Sequence, residues 1–234
     1  MKFSNQQIAR FTGAGYLIIF ITGIFANFFV IEGLVSPSDA TATVANIKAN
    51  ASLFRTGIFS FIIMVIFDVL LAWTLYILFK SVNSNLSLLS GWLRLANGTV
   101  FGVALFHLLD IMQVISGAEY LKAFSPAQLD AQVMQSLAAF NNTWLIGLLF
   151  FGMHLLLLGY LIYKSGYVPR FIGILLCIAA MGYLIDSCAN FMLSNYADYK
   201  DIFMMIVVIP GVVGEFSLTI WLLLKNDKVP ETGD

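Results

Sequence analysis

Six long apolar stretches make up most of the chain and limit what it can fold into. A helix needs about 20 apolar residues to cross a membrane, and six segments of this 234-residue sequence reach that length. The predicted spans are 11–32, 53–80, 88–116, 137–163, 170–193 and 202–225. Because backbone groups in lipid must bond within the protein, the sequence predicts an all-α integral membrane protein. We expect six transmembrane helices in one bundle, forming a single domain over residues 1–234.

Composition and charge narrow the classes of partner. Hydrophobic residues make up 60% of the sequence and charged residues 11%, whereas about a quarter of a soluble domain is charged. The net charge is -1. The sequence also lacks a run of Lys and Arg interleaved with aromatic residues, which is the pattern typical of nucleic-acid binding. We therefore expect membrane lipids as partners, together with a small polar or cationic ligand, and no nucleic acid. The sequence leaves the oligomeric state open.

The distribution of lysine and arginine predicts the orientation of the spans. If the N-terminus is cytoplasmic, the cytoplasmic side holds eight of the twelve Lys and Arg residues, as the positive-inside rule requires. Both termini are therefore predicted to be cytoplasmic. Arg94 and Arg170 fall near the cytoplasmic ends of their spans, and we expect both to extend to the lipid headgroups.

Helix-start signals occur in two of the outer loops. Ser36-Pro37-Ser38-Asp39 follows the first span, and Phe124-Ser125-Pro126 follows the third. Serine next to proline, or an acid in the first turn, is typical of a helix N-terminus. The first and second outer loops are therefore each predicted to hold a short helix, which lies on the membrane surface or runs into the next span.

Ionisable side chains inside the spans are the candidate functional residues. Each ionised acid facing lipid at mid-depth costs about 3 kcal/mol, so we expect these side chains to face the interior. At 1.5 Å per residue, three of them share a middle layer: Asp68, His154 and Glu215. An outer layer holds the other four candidates: His107, Asp110, Asp186 and Arg55.

Two arrangements are expected from these depths. His107 and Asp110 are three residues apart on one helix and can touch, and Arg55 could join Asp110 and Asp186 in an ion-paired plug. The second arrangement is one polar cavity shared by Asp68, His154, Asp186 and Glu215. Pro210 lies mid-span just before Glu215, as in the broken helices that line transporter sites.

One block of sequence resembles a known family. It runs from Phe151-Gly-Met-His154 to Pro169-Arg170-Phe-Ile-Gly173, and Tyr183-Leu-Ile-Asp186-Ser187 follows it. This block resembles the bacterial membrane family catalogued as domain of unknown function 4386, and the likeness extends over nearly the whole chain, from about Arg10 to Lys225. The resemblance implies six spans and a bacterial inner-membrane location, and it implies no activity.

Three classes of function remain open at this point. The first is a small transporter or channel that binds a proton, a cation or a polar solute. The second is an intramembrane metal hydrolase acting on lipid, but the sequence lacks His-x-x-x-His and His-Glu-x-x-His, and its two histidines differ in depth by roughly 12 Å. The third is a membrane sensor or scaffold whose buried polar groups only fix helix pairing.

The first class is favoured. Burial penalises the charged form of a carboxyl group, so an acid in a span can exchange its proton for a ligand. We therefore expect a cavity in which protonation of Glu215 or Asp186 is linked to ligand occupancy. The sequence leaves catalysis open but favours a protein that is not an enzyme, and no metal or cofactor is expected.

Overall fold

A computed structural model describes residues 3–230, and in that range the chain is helical with no strand. Six long helices carry most of it, with one shorter helix between the first two. In chain order the helices are α1 (Asn5–Leu34), α2 (Ala40–Ala49), α3 (Ala51–Phe79), α4 (Ser84–Val114), α5 (Pro126–Ser165), α6 (Arg170–Met192) and α7 (Lys200–Leu224). All except α2 contain stretches long and apolar enough to cross a membrane. The six-span helical architecture predicted from the sequence is confirmed.

The outer loops follow the helix-start signals. Asp39 caps α2, since its carboxylate accepts a hydrogen bond from the backbone N–H of Ala42 at 2.9 Å. In the second outer loop, a short 3-10 turn covers Glu119–Ala123, and α5 then begins at Pro126 and runs without a break through the fourth span. The orientation of the spans relative to the cytoplasm stays a prediction.

The start of α4 differs from the sequence prediction in a way that matters for the site. The helix begins at Ser84, not at residue 88, because the Asn83 side chain accepts a hydrogen bond from the backbone N–H of Leu86 at 3.0 Å. An asparagine in this position is a good N-cap. Arg94 consequently lies ten residues, or about 15 Å, into its helix.

Contacts divide the chain into two compact units. Unit 1 comprises Met1–Ile18, Phe67–Gly98 and Ile146–Asp234, and unit 2 comprises Ile19–Ile66 and Thr99–Leu145. The single-domain organisation stays a prediction.

Helices of unit 1 approach closely at glycines. A Cβ atom built on Gly159 of α5 would lie 2.7 Å from the backbone oxygen of Gly173 on α6. A Cβ atom on Gly182 of α6 would lie 2.8 Å from the backbone oxygen of Ile206 on α7. Small residues let membrane helices pack backbone to backbone. These contacts set α5, α6 and α7 side by side in unit 1.

Unit 2 packs around aromatic rings. Trp144 stacks on Phe101 with ring centroids 3.6 Å apart, and it also meets Phe61 and Phe140 at 5.2 Å and 5.4 Å. These rings come from α3, α4 and α5. Aromatic pairs of this kind add to the free energy gained by burying the rings. The aromatic cluster therefore holds the three helices together within unit 2.

Candidate functional site

A buried arginine lies at the centre of the candidate site in unit 1. Arg94 is 1% exposed, and its Nη2 donates a hydrogen bond to Oδ1 of Asp68 at 2.7 Å. Asp68 is equally enclosed, at 2% exposure. The expectation that Arg94 extends to the lipid headgroups is wrong. Its helix begins a turn earlier than predicted, so the guanidinium lies at the depth of Asp68.

His154 is the second partner of Arg94. Nη1 of Arg94 lies 3.2 Å from Nε2 of His154, and because arginine can only donate, Nε2 must accept. The proton of the imidazole is then on Nδ1, which lies 2.9 Å from both the backbone oxygen and the hydroxyl of Ser90. These contacts assign His154 as a neutral imidazole with its proton on Nδ1.

Aromatic rings enclose the guanidinium. Nη1 of Arg94 donates to the hydroxyl of Tyr16 at 3.3 Å, and Cζ lies 5.0 Å from the Tyr16 ring centroid. The Phe151 ring is 5.6 Å from Cζ, and Tyr183 meets Phe151 edge-on at 5.3 Å. Aromatic faces attract a guanidinium, and more strongly where water is excluded. The rings therefore stabilise the arginine at a depth where charge is costly.

Glu215 is the second acid near Arg94. It is 8% exposed and interacts electrostatically with both Arg94 and Asp68. It lies nine residues, or about 14 Å, from the end of α7 at Leu224, which matches the depth of Arg94 in α4. Pro210 lies within α7, and the helix continues through it. Glu215 is therefore presented to the cluster by a continuous helix.

Three buried polar atoms beside the cluster lack partners. Within the described residues, Nε of Arg94 and both amide atoms of Asn97 form no hydrogen bond. Asn97 is fully buried and follows Arg94 by three residues on α4, so the two side chains are neighbours. Natural proteins leave few such atoms unsatisfied. A bound water or polar ligand is the usual partner of such groups.

Asp186, also in unit 1, lies apart from this cluster. It is sixteen residues, or about 24 Å, from the start of α6, and Oδ1 accepts a hydrogen bond from the hydroxyl of Tyr196 at 2.6 Å. Burial, together with this bond, raises the pKa of Tyr196 to about 12. The structure thus groups Asp68, His154 and Glu215 near Arg94, and it places Asp186 with the loop that follows α6.

The remaining sequence candidates belong to unit 2. His107 lies 3.9 Å from Asp110 through Nδ1, and its Nε2 lies 3.3 Å from the hydroxyl of Thr143. The prediction that Asp110 faces the interior is wrong, since its side chain is 55% exposed. It lies only four residues, or about 6 Å, from the end of α4, where the insertion cost is lower. Arg55 is also exposed, and within the described part of unit 2 it forms no ion pair with Asp110.

Among the side chains that the structure describes, no group of three or more His, Cys, Asp or Glu residues is arranged to hold a metal ion. The contacts of Arg94 make the site an ion-paired and hydrogen-bonded cluster.

Comparison with known proteins places the chain in a family. The family described as "Domain of unknown function (DUF4386)" matches residues 11–226, which confirms the resemblance seen in the sequence. A relative from the archaeon Archaeoglobus fulgidus, named "Uncharacterized protein", is 33% identical over 175 residues, covering 75% of this chain and 85% of the relative. No solved structure matches. The bacterial inner-membrane location stays a prediction. Because the family match covers almost the whole chain, this protein belongs to the DUF4386 family.

Proposed function

We propose that this membrane protein binds a small polar or cationic ligand at the Arg94 cluster and that binding is coupled to protonation of Glu215. The observation that carries the proposal is the charge balance of the cluster. Arg94 and Asp68 cancel each other in a 2.7 Å ion pair, and His154 is neutral. An ionised Glu215 therefore adds a negative charge that no second cation of the cluster balances.

This imbalance has a direct consequence for binding. A net charge at this depth in a membrane is costly, so the cluster is most stable when Glu215 is neutralised. A proton on Glu215 does this, and so does a cation bound beside it. The two compete for the same carboxylate, so loss of one accompanies binding of the other.

The unpartnered atoms support a polar occupant beside Arg94. Each buried donor or acceptor without a partner costs about 1–3 kcal/mol. Asn97 offers one acceptor and two donors, and Nε of Arg94 offers a further donor. A water, a hydroxyl compound or a hydrated cation has the matching groups. The same atoms make an entirely apolar ligand a poor fit.

Flux measurements test the proposal. The purified protein is reconstituted in liposomes with an internal pH-sensitive dye, and gradients of sodium, potassium or choline chloride are applied. We expect at least one gradient to drive proton movement in the opposite direction, and Glu215→Gln to abolish it. Glu119→Gln is the matched control, because it removes an 85% exposed carboxylate from an outer loop and should leave the flux unchanged.

Two other results would support the competing functions. If no gradient moves protons in the wild type and Glu215→Gln alters only stability, the buried charges are structural and the sensor or scaffold interpretation is favoured. Elemental analysis showing near-stoichiometric zinc or iron, lost in His154→Ala, would instead favour the intramembrane hydrolase. Gel filtration of each variant establishes that it is folded.

A further inference from the structure

A groove on unit 2 has the form of a site for one lipid molecule. It has a volume of about 660 Å³ and lies between α3 and α4, with Tyr120 of the outer loop at one end. Its lining residues on α3 begin with Arg55 and recur at helical spacing as far as Ile62. The groove therefore follows one face of the helix for two turns.

Polarity changes along the groove from the membrane surface inwards. Arg55 lies four residues, or about 6 Å, into α3, whereas Ile62 lies eleven residues, or about 16 Å, into it. On α4, Gln113 is one residue from the end of the helix and Leu109 is five residues from it. Arg55, Gln113 and Tyr120 thus form a polar outer end. The deeper walls are apolar, as an acyl chain requires.

The guanidinium of Arg55 has no partner of its own in the described chain. Arg55 is exposed, and it forms no hydrogen bond or ion pair with any other side chain that the structure describes. Neither Asp110 nor Glu119 pairs with Arg55, since Asp110 lies 3.9 Å from His107 and Glu119 pairs with Lys122 at 2.8 Å. A planar guanidinium matches the geometry of a phosphate and binds it through two parallel hydrogen bonds. An anion from outside the chain therefore complements this position.

We propose that the groove binds one anionic phospholipid. Its phosphate contacts Arg55 at the polar end, where Gln113 and Tyr120 supply further donors. One acyl chain lies along the apolar walls formed by Phe59 and Leu109. This assignment concerns unit 2 alone and does not depend on the function proposed for the Arg94 cluster.

Native mass spectrometry with added lipids tests the site. The full-length protein is titrated in detergent with phosphatidylglycerol or with phosphatidylcholine, and the bound fraction is measured. We expect phosphatidylglycerol to bind more tightly than phosphatidylcholine. Arg55→Gln should weaken the binding of phosphatidylglycerol by about tenfold or more, which is the range for loss of a hydrogen bond to a charged group. Arg10→Gln is the matched control, since Arg10 is also an exposed arginine near a helix end, and it should bind as the wild type does.

A second variant tests the apolar part of the groove. Ile62→Trp places a bulky ring at the deep end, so it should weaken binding of long-chain phosphatidylglycerol more than that of a six-carbon-chain analogue. Equal affinity of the wild type for the two headgroups overturns the proposal. So does an equal effect of Arg55→Gln and Arg10→Gln, or competition by millimolar inorganic phosphate, which would indicate a simple anion site.

Discussion

The ion pair between Arg94 and Asp68 leads to a quantitative prediction about stability. Removing one partner of a buried pair leaves the other charge uncompensated and costs about 3–5 kcal/mol. We expect Asp68→Leu and Arg94→Leu each to lower the free energy of unfolding by this amount. The two effects should differ, because Glu215 remains as a counter-charge when Asp68 is removed, whereas removing Arg94 leaves two acids without a cation. Arg94→Leu should therefore be the more destabilising change.

The double variant Asp68→Leu/Arg94→Leu distinguishes an ion pair from two independent packing residues. Replacing a whole buried pair by apolar side chains is often neutral or stabilising. The double variant should therefore lose at least about 2 kcal/mol less than the sum of the two single variants, a coupling within the range for contacting residues.

The free energy of unfolding is measured by titrating mixed micelles with a denaturing detergent and following helicity by circular dichroism. Glu119→Gln, which disrupts an exposed ion pair with Lys122, is the control and should change stability by less than about 0.5 kcal/mol. Additive effects of the two leucine substitutions would refute the pair as described. So would a single variant as stable as the wild type.

Three further predictions concern helix packing, the loop after α6 and topology. Gly173→Ala would bring a Cβ atom to 2.5 Å from the backbone oxygen of Gly159, so it should lower the free energy of unfolding by about 1–3 kcal/mol in the same assay. Gly102→Ala is the control, because its Cβ atom would lie 3.9 Å from the nearest neighbour, and it should not lower the free energy of unfolding. The pKa of Tyr196 is raised from 10.0 to about 12, so the stability that this residue contributes is complete below pH 10 and lost as pH rises through 12. Tyr196→Phe should remove this pH-dependent loss of stability. A variant with the same pH profile of unfolding as the wild type would contradict the prediction. Reporter fusions at the two termini should both report the cytoplasm, and a C-terminal fusion that reports the outside would overturn the orientation.

The sequence by itself determined the number of spans and the shared depth of the three ionisable residues of the middle layer. Both follow from length, because a span needs about 20 apolar residues and each residue advances the helix by 1.5 Å. Counting residues in this way predicts one layer that holds Asp68, His154 and Glu215. In the structure, Asp68 and His154 contact Arg94. Glu215 lies within electrostatic range of Arg94. Depth could be counted without knowing how the helices pack.

The predicted depth of Arg94 is wrong because the predicted start of α4 is one turn too late. The sequence contains the signal for the correct start. Counted from residue 88, it lay within reach of the headgroups; counted from Ser84, it lies a full turn deeper. The N-cap at Asn83 was the available signal, since asparagine favours that position. The error in one helix boundary was sufficient to hide the central residue of the cluster.

Only the tertiary structure decided which side chains meet. Helical spacing limits a side chain to a face of its own helix, but it does not say how that face is turned towards other helices. Asp110 and Asp68 are both acids inside predicted spans, yet one is 55% exposed and the other is paired with Arg94. The difference depends on the rotation of α3 and α4 about their axes. That rotation is set by packing contacts such as the close approach of Gly91 on α4 to the backbone of Ala72 on α3, and the stacking of Phe101 on Trp144.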